Sequence, residues 1–195
     1  MTHDKASIRK HIKLQRQKLN PEQCQQAARG LLYQFTQLNL PEFQHIAAYL
    51  SHNNEMDLKP LIEALWEQGK TCYLPLLHPF HTNELWFQPF HALTRLIPNR
   101  YGILEPEFEA NTIAAAWELD IILMPLIAFD IKGNRLGMGA GCYDKSLAFA
   151  QSAPSPLLIG CAYQFQCLTE LAIETWDIPM NKVITEQQHY EFSYD

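Results

Sequence analysis

Apolar residues recur along this chain with two spacings. Over residues 5–19, Ile8, Ile12 and Leu19 share one side of a helix that Asn20-Pro21 ends. A second helix is predicted over 21–38. The short apolar run HIAAYLS at 45–51, bounded by polar residues, suits a buried strand. Over 58–68, Leu61, Ile62, Leu65 and Trp66 return to helical spacing and Gly69 closes the pattern. TCYLP at 71–75 then reads as a strand, and strand–helix–strand is the signature of parallel pairing. ELWFQPF at 84–90 predicts a further strand. DIILMP at 120–125 shows no alternation, as expected of a central strand buried on both faces. A helix is predicted over 144–150, and strands over 155–163 (SPLLIGCAY) and 182–185 (KVIT). The pattern therefore predicts an α/β fold: an open, mainly parallel sheet with helices on both faces. There is no repeat, low-complexity tract or long linker, so residues 1–195 read as one domain.

Composition narrows the class. Apolar residues make up 47% of the chain and charged residues 18%, enough to bury a real core. The net charge of −6 argues against a nucleic acid or an anionic membrane as partner. That charge is uneven: Lys5, Arg9, Lys10, Lys13, Arg16 and Lys18 are crowded into the first helix. Such a run is either a solvated face or a place to hold a small anion. The five cysteines form no CxxC pair, and the opening MTHDKASIRK lacks the apolar core of a secretory signal. IILMPLIAF at 121–129 is the longest apolar stretch, well short of the ~18 residues of a membrane span. Reduced thiols and a small soluble cytoplasmic protein are expected.

The chemistry is concentrated in FDIKGNRLGMGAGCYD at 129–144. Gly133, Gly137, Gly139 and Gly141 are four of the chain's eight glycines. Glycine allows positive φ and lets successive amide N–H groups point into one concavity, which binds phosphate oxygens. Arg135 adds a planar cationic fork and Asp144 a hard oxygen ligand for Mg²⁺. A loop following a central parallel strand lies where open α/β sheets place ligands. A Walker A loop would end in Gly-Lys-Ser/Thr, whereas this one ends Gly-Cys-Tyr, and the dinucleotide fingerprint would need Gly where Cys142 stands. From the residues alone, two readings stay open: an ATP-dependent kinase or ligase for a small molecule, and a non-catalytic phospho-metabolite sensor.

GNRLGMGAGCYD resembles the GNRLGxGxGYYD signature of the 5-formyltetrahydrofolate cyclo-ligase family. KASIRKHIKLQRQKL resembles that family's opening Lys-x3-Arg helix, and YLSHNNEMDLKPLI its strand-then-Glu folate segment. YGILEP at 101–106 and WDIPMNKVIT in the tail match later landmarks. The resemblance spans nearly the whole chain. It implies a three-layer, Rossmann-like and CoA-transferase-like sheet in a monomer or weak homodimer. It also implies cyclisation of 5-formyltetrahydrofolate to 5,10-methenyltetrahydrofolate, with ATP as co-substrate, Mg²⁺ as cofactor and no protein nucleophile. Carried over position by position, Lys5 and Arg9 hold ATP phosphates, and Arg135, Leu136, Gly137, Met138, Gly139, Ala140, Gly141, Cys142 and Tyr143 wrap the nucleotide. Arg135 and Tyr143 are the catalytic pair. Leu50 and Glu55 contact the folate, with Met138, Gly139, Ala140, Gly141 and Cys142 also facing it. Asp144 and Asp177 are the metal ligands. Two departures stand out: Cys142 replaces the first Tyr of Tyr-Tyr-Asp, and Asn181 stands where the family often has Asp.

Other signals read as structural. His78 and His81, at i, i+3 in HPFH, have neither a nearby Cys nor a third His to complete a metal site, so they read as surface histidines. Cys161 and Cys167 read as incidental thiols, Trp86 and Phe87 as core, and Cys142 as a neutral substitution with no base beside it.

Overall fold

Asn20 starts the second helix of the chain, three residues past the end of the first at Gln17. Its side chain accepts from Gln23 N–H at 2.8 Å while the Gln23 side chain accepts from Asn20 N–H at 2.9 Å, a reciprocal cap followed by Pro21 in the first turn. The two helices of this computed structural model, which describes residues 4–151 and 156–193, are α1 (Lys5–Gln17) and α2 (Pro21–Thr36). The chain continues through β1 (His45–Ala47), α3 (Lys59–Glu67), β2 (Thr71–Leu77) and β3 (Leu85–Phe90). The short strands β4 (Leu96–Pro98) and β5 (Leu104–Pro106) precede the central β6 (Ile121–Pro125). Then come β7 (Ala128–Asp130), β8 (Arg135–Leu136), α4 (Cys142–Ser146), β9 (Leu157–Cys161), β10 (Cys167–Leu168), β11 (Lys182–Ile184) and β12 (His189–Glu191).

Seven strands form the main sheet in the order β12-β11-β9-β6-β1-β2-β3. The five inner strands are parallel, and β12 and β3 close the two edges antiparallel. Ile121, Ile122, Leu123 and Met124 have no exposure, as the lack of alternation predicted. On one face α2 and α3 pack Leu31, Phe35, Leu61, Ile62 and Leu65 against Ile46, Leu123 and Ile159. The other face is covered by shorter pieces: Ala116 and Leu119 around a 3-10 turn, Leu147 after α4, and Ile178 and Met180 of the tail pack on Ile122, Met124 and Val183. Gly160 allows this close cover, since a Cβ there would meet Met180 Sδ at 2.5 Å and Leu126 Cδ2 at 2.7 Å. Among the described residues no helix is long and apolar enough to cross a membrane.

The departures from expectation occur where local geometry overrides pattern. β1 is shorter than 45–51 because the chain leaves the ladder after Ala48, and Tyr49 turns to donate its hydroxyl to Met56 O at 3.0 Å. The helix predicted over 144–150 starts two residues earlier, at Cys142, and passes into a 3-10 turn after Ser146. Of the strand predicted over 155–163, Ser155 lies outside the described residues, and the observed strand spans Leu157–Cys161. The segment 129–144 is not one loop. Its first part is the β7–β8 hairpin, whose turn is organised by Asp130: this carboxylate accepts from Lys132 N–H, Asn134 N–H, the Asn134 side-chain amide and Leu171 N–H, at 2.9–3.0 Å. Gly133, with φ +83°, serves that turn and stands apart from the three glycines expected with it to form a phosphate nest. The hairpin carries a small third cluster in which Ile12 of α1 packs on Ile127, Ala128 and Leu136, and this seats the basic helix beside the second half of the loop.

Candidate active site

A cleft of about 730 Å³ opens at the carboxyl edge of the sheet, where β1, β2 and β6 end. It is bordered by every site residue proposed from the sequence: Lys5, Arg9, Leu50, Glu55, the unbroken run from Arg135 to Asp144, and Asp177. These come from α1, the loop after β1, the Gly-rich segment and the tail, so only the fold brings them together.

The Gly-rich segment is shaped by two left-handed glycines. Gly139 has φ +111° and lies against the Arg9 guanidinium, and Gly141 has φ +67° at the residue before α4. Arg9 Nε donates to Gly137 O at 2.9 Å and so ties α1 to the loop. Arg135 is almost wholly buried. It donates from Nη2 to Asp144 Oδ1 at 2.6 Å and lies 5.6 Å from the Tyr143 ring centroid, and its Nε has no partner among the described residues. An unpaired donor on a buried guanidinium facing a cleft is what an anionic ligand would satisfy. Asp144 Oδ1 also accepts from Ile178 N–H at 3.3 Å, which fastens the tail to the loop. Lys5 Nζ lies 3.6 Å from Asp177 Oδ2 and 3.4 Å from Glu174 Oε1.

On the other side of α1, Glu55 is buried. Its Oε1 lies 3.6 Å from Arg16 Nη1, and its Oε2 accepts from His52 N–H at 3.4 Å. Burial raises the Glu55 carboxyl above its ordinary range, and the Arg16 charge is the strongest opposing influence. Burial likewise pushes up the Tyr143 phenol, which stays protonated as a hydrogen-bond donor. The Cys142 thiol is raised by burial, so it is no thiolate nucleophile.

Asp144, Asp177 and Glu174 offer hard oxygens to the same cleft, yet among the described residues they do not close into a three-ligand cluster. Such a donor set fits Mg²⁺, which keeps several waters and is held by one or two carboxylates together with substrate phosphates. Asn181, the second departure, is not in the cleft. Its Oδ1 accepts from Leu158 N–H at 2.7 Å, so it stitches β9 to the tail.

The cleft also holds residues to which the sequence reading gave no role: Trp176, Glu174, His52, Asn53, Tyr101 and Glu105. Trp176 and Tyr101 lie in landmarks that the resemblance had already marked, WDIP and YGILEP, and this was the signal available. Outside the cleft, Glu84 joins His78 and His81 in a group whose ligand atoms lie within 4.8 Å. His78 Nδ1 accepts from Phe80 and His81 N–H at 3.1 and 2.9 Å, so the neutral ring keeps its proton on Nε2. These two hydrogen bonds hold His78 in a turn, and Glu84 is the third group that the sequence reading did not find beside the two histidines. Phe87 is core, as expected, whereas Trp86 stacks on Phe108 at 6.0 Å beside the His78 ring.

Comparisons with known proteins agree with one another. The profile of the 5-formyltetrahydrofolate cyclo-ligase family matches residues 1–186. The 5-formyltetrahydrofolate cyclo-ligase of Escherichia coli is 37% identical over 182 residues, covering 93% of this chain and 100% of that protein. The enzyme of the same name from Haemophilus influenzae is 39% identical over 186 residues, 94% of this chain and 98% of the relative. Among solved structures, the 5,10-methenyltetrahydrofolate synthetase of Aquifex aeolicus superposes with a TM-score of 0.79 at 29% identity, covering 98% of this chain and 94% of that one.

Proposed function

The chain belongs to the 5-formyltetrahydrofolate cyclo-ligase family, and from that premise we propose how its cleft divides the work of the reaction. The enzyme cyclises 5-formyltetrahydrofolate to 5,10-methenyltetrahydrofolate at the expense of ATP. The observation that carries the residue-level reading is the gathering of three phosphate-suited cations, a glycine-rich turn and a buried carboxylate in one cleft.

A formamide oxygen is a poor leaving group. Transfer of the γ-phosphoryl group of ATP to that oxygen, with release of ADP, produces an iminium phosphate. N10 of the folate attacks its carbon, the carbon–oxygen bond breaks, phosphate departs, and N10 loses its proton. No protein nucleophile takes part, so positioning and charge neutralisation carry the catalysis. Lys5 and Arg9 hold the ATP phosphates. Arg135 leaves Asp144 to meet the transferring phosphoryl group, and Tyr143, kept neutral, donates a hydrogen bond there. The nest from Leu136 through Cys142 wraps the nucleotide, and Met138 to Cys142 also border the folate. Leu50 packs on the folate, and Glu55 accepts from the pterin's amino and ring N–H groups. Asp144 and Asp177 are the residues that would hold Mg²⁺, which supplies charge neutralisation to the phosphates. Five free thiols support a reduced, cytoplasmic setting, and we take 1–195 as one domain working as a monomer or weak homodimer.

The purified protein, given Mg-ATP and 5-formyltetrahydrofolate, should develop the near-ultraviolet absorbance of methenyltetrahydrofolate. No turnover over a broad range of pH and metal would sink the proposal.

A further inference from the structure

Arg16 belongs to the basic run of α1, which the charge pattern left readable as a solvated face. It is instead only 2% exposed, and it does not border the cleft. Its guanidinium reaches in two directions. Nη1 lies 3.6 Å from Glu55 Oε1, and Nη2 donates to Leu126 O, at the end of the central strand just before the hairpin that leads to the Gly-rich segment. Its backbone carbonyl accepts from the Asn54 side chain at 3.0 Å. Asn53 and Asn54 both hold positive φ, 52° and 53°, a turn that needs an outside anchor. Ser51 Oγ and Tyr163 Oη close the turn by donating to Glu55 O.

We propose that Arg16 is a positioning residue for the folate side of the cleft, holding Glu55 as an ionised, oriented acceptor and anchoring the Asn53–Asn54 turn to the strand that carries the Gly-rich segment. The inference rests on the reading of Glu55 as the acceptor for the pterin. Its physical basis is that a buried carboxylate without a partner takes up a proton, and a protonated carboxyl, one of whose oxygens now carries an O–H donor, is a poorer acceptor for a pair of N–H donors. Besides Arg16 on α1, the titratable groups facing Glu55 are His52 on its own loop, Tyr49 beyond β1 and Tyr143 on α4. None of these offers a permanent positive charge, so among the described residues Arg16 is the cation that faces Glu55.

The test is the Michaelis constant for each substrate from about pH 6 to about pH 9, with melting temperatures, for Arg16→Met, Arg16→Lys and Glu55→Gln. In Arg16→Met the Glu55 carboxyl titrates higher. The acceptor then exists only above that raised value, so folate binding is weak at low pH and recovers as pH rises. At neutral pH the folate KM should increase about 30-fold while the ATP KM stays within about twofold. Arg16→Lys keeps the charge but cannot reach both partners, so its folate KM should rise several-fold without the new pH dependence. Glu55→Gln should raise the folate KM at all pH values, and adding Arg16→Met to it should cost little more. A flat profile in Arg16→Met with both KM values raised alike would reduce Arg16 to a structural role. A Glu55→Gln enzyme with a wild-type folate KM would instead remove the reading of Glu55, and the proposal with it. If Arg16→Met does not fold, Arg16→Lys decides, since an equal rise in both its KM values overturns the proposal.

Discussion

Replacing Arg135 with methionine removes the guanidinium and keeps most of the side-chain volume. The side chain is 5% exposed and bonded to Asp144 at 2.6 Å, so water does not fill its role. If it meets the transferring phosphoryl group, one preorganised, charge-assisted contact is lost from a site of low dielectric. Deleting such a donor costs about 3–4 kcal/mol, or 10²–10³ in kcat. The ATP KM should change much less, because the contact strengthens as charge develops. Asp144 is left without its cation, but it is partly hydrated at 22% exposure, so the folding penalty is only about 1–2 kcal/mol. At roughly 2–4 °C per kcal/mol for a chain of this size, the melting temperature should fall by about 2–8 °C. Arg135→Lys, with charge but no fork, should fall between, near a tenfold loss. The assay is initial rate by methenyltetrahydrofolate absorbance at saturating ATP and folate, with thermal unfolding in parallel. A kcat within about fivefold of wild type in a folded Arg135→Met protein would refute the reasoning, because a cation whose side chain is almost wholly buried beside the cleft would then have no part in the chemistry.

Lys5→Ala should raise the ATP KM about tenfold, equivalent to ~1.4 kcal/mol of binding, with kcat little changed; a drop in kcat alone would contradict a role in holding phosphates. Trp176 is 65% exposed within the cleft lining, so substrate binding should change the intrinsic fluorescence, and Trp176→Phe should abolish most of that change; an undiminished signal would place the reporter elsewhere. Gly160→Ala forces a methyl to within 2.5 Å of Met180 Sδ and should lower stability by about 1–3 kcal/mol without altering either KM, and Met180→Ala should partly restore it; an unchanged melting temperature would show that the tail yields freely.

What the sequence disclosed followed from short-range pattern. DIILMP announced its place in the sheet because a strand buried on both faces has no polar alternate. The small β7–β8 hairpin was invisible because its turn depends on Asp130 receiving four hydrogen bonds, one of them from Leu171, far along the chain. Its glycine was therefore counted with the nest. β4 and β5 bury too little to leave a periodic trace. The cleft residues named from motifs all reached the cleft, while Glu174 carries no local pattern that distinguishes it from a surface residue, and Trp176 was marked only by its place in the WDIP landmark. Arg16 was hidden for another reason. A charge run is read as solvent-facing, and only the helix's seat on the hairpin turns this member inward.

Three cations in and beside the cleft make four ion pairs that share a logic the sequence could not display. Arg135 with Asp144, Lys5 with Asp177 and Glu174, and Arg16 with Glu55 each set a cation against a carboxylate. An isolated charge in such surroundings would cost several kcal/mol to desolvate, so a cleft rich in cations needs local counter-charge to fold. If Arg135 and Lys5 meet the nucleotide as proposed, the same pairing limits what they give it at rest, because each would have to leave a carboxylate to reach a phosphate. The exchange becomes more favourable as negative charge moves onto the transferring oxygens, and the carboxylates released are the ones suited to a divalent cation. On that proposal, the pairs would bias the cleft's binding energy toward the transition state. Arg16, whose partner is held outside this exchange, keeps its carboxylate throughout.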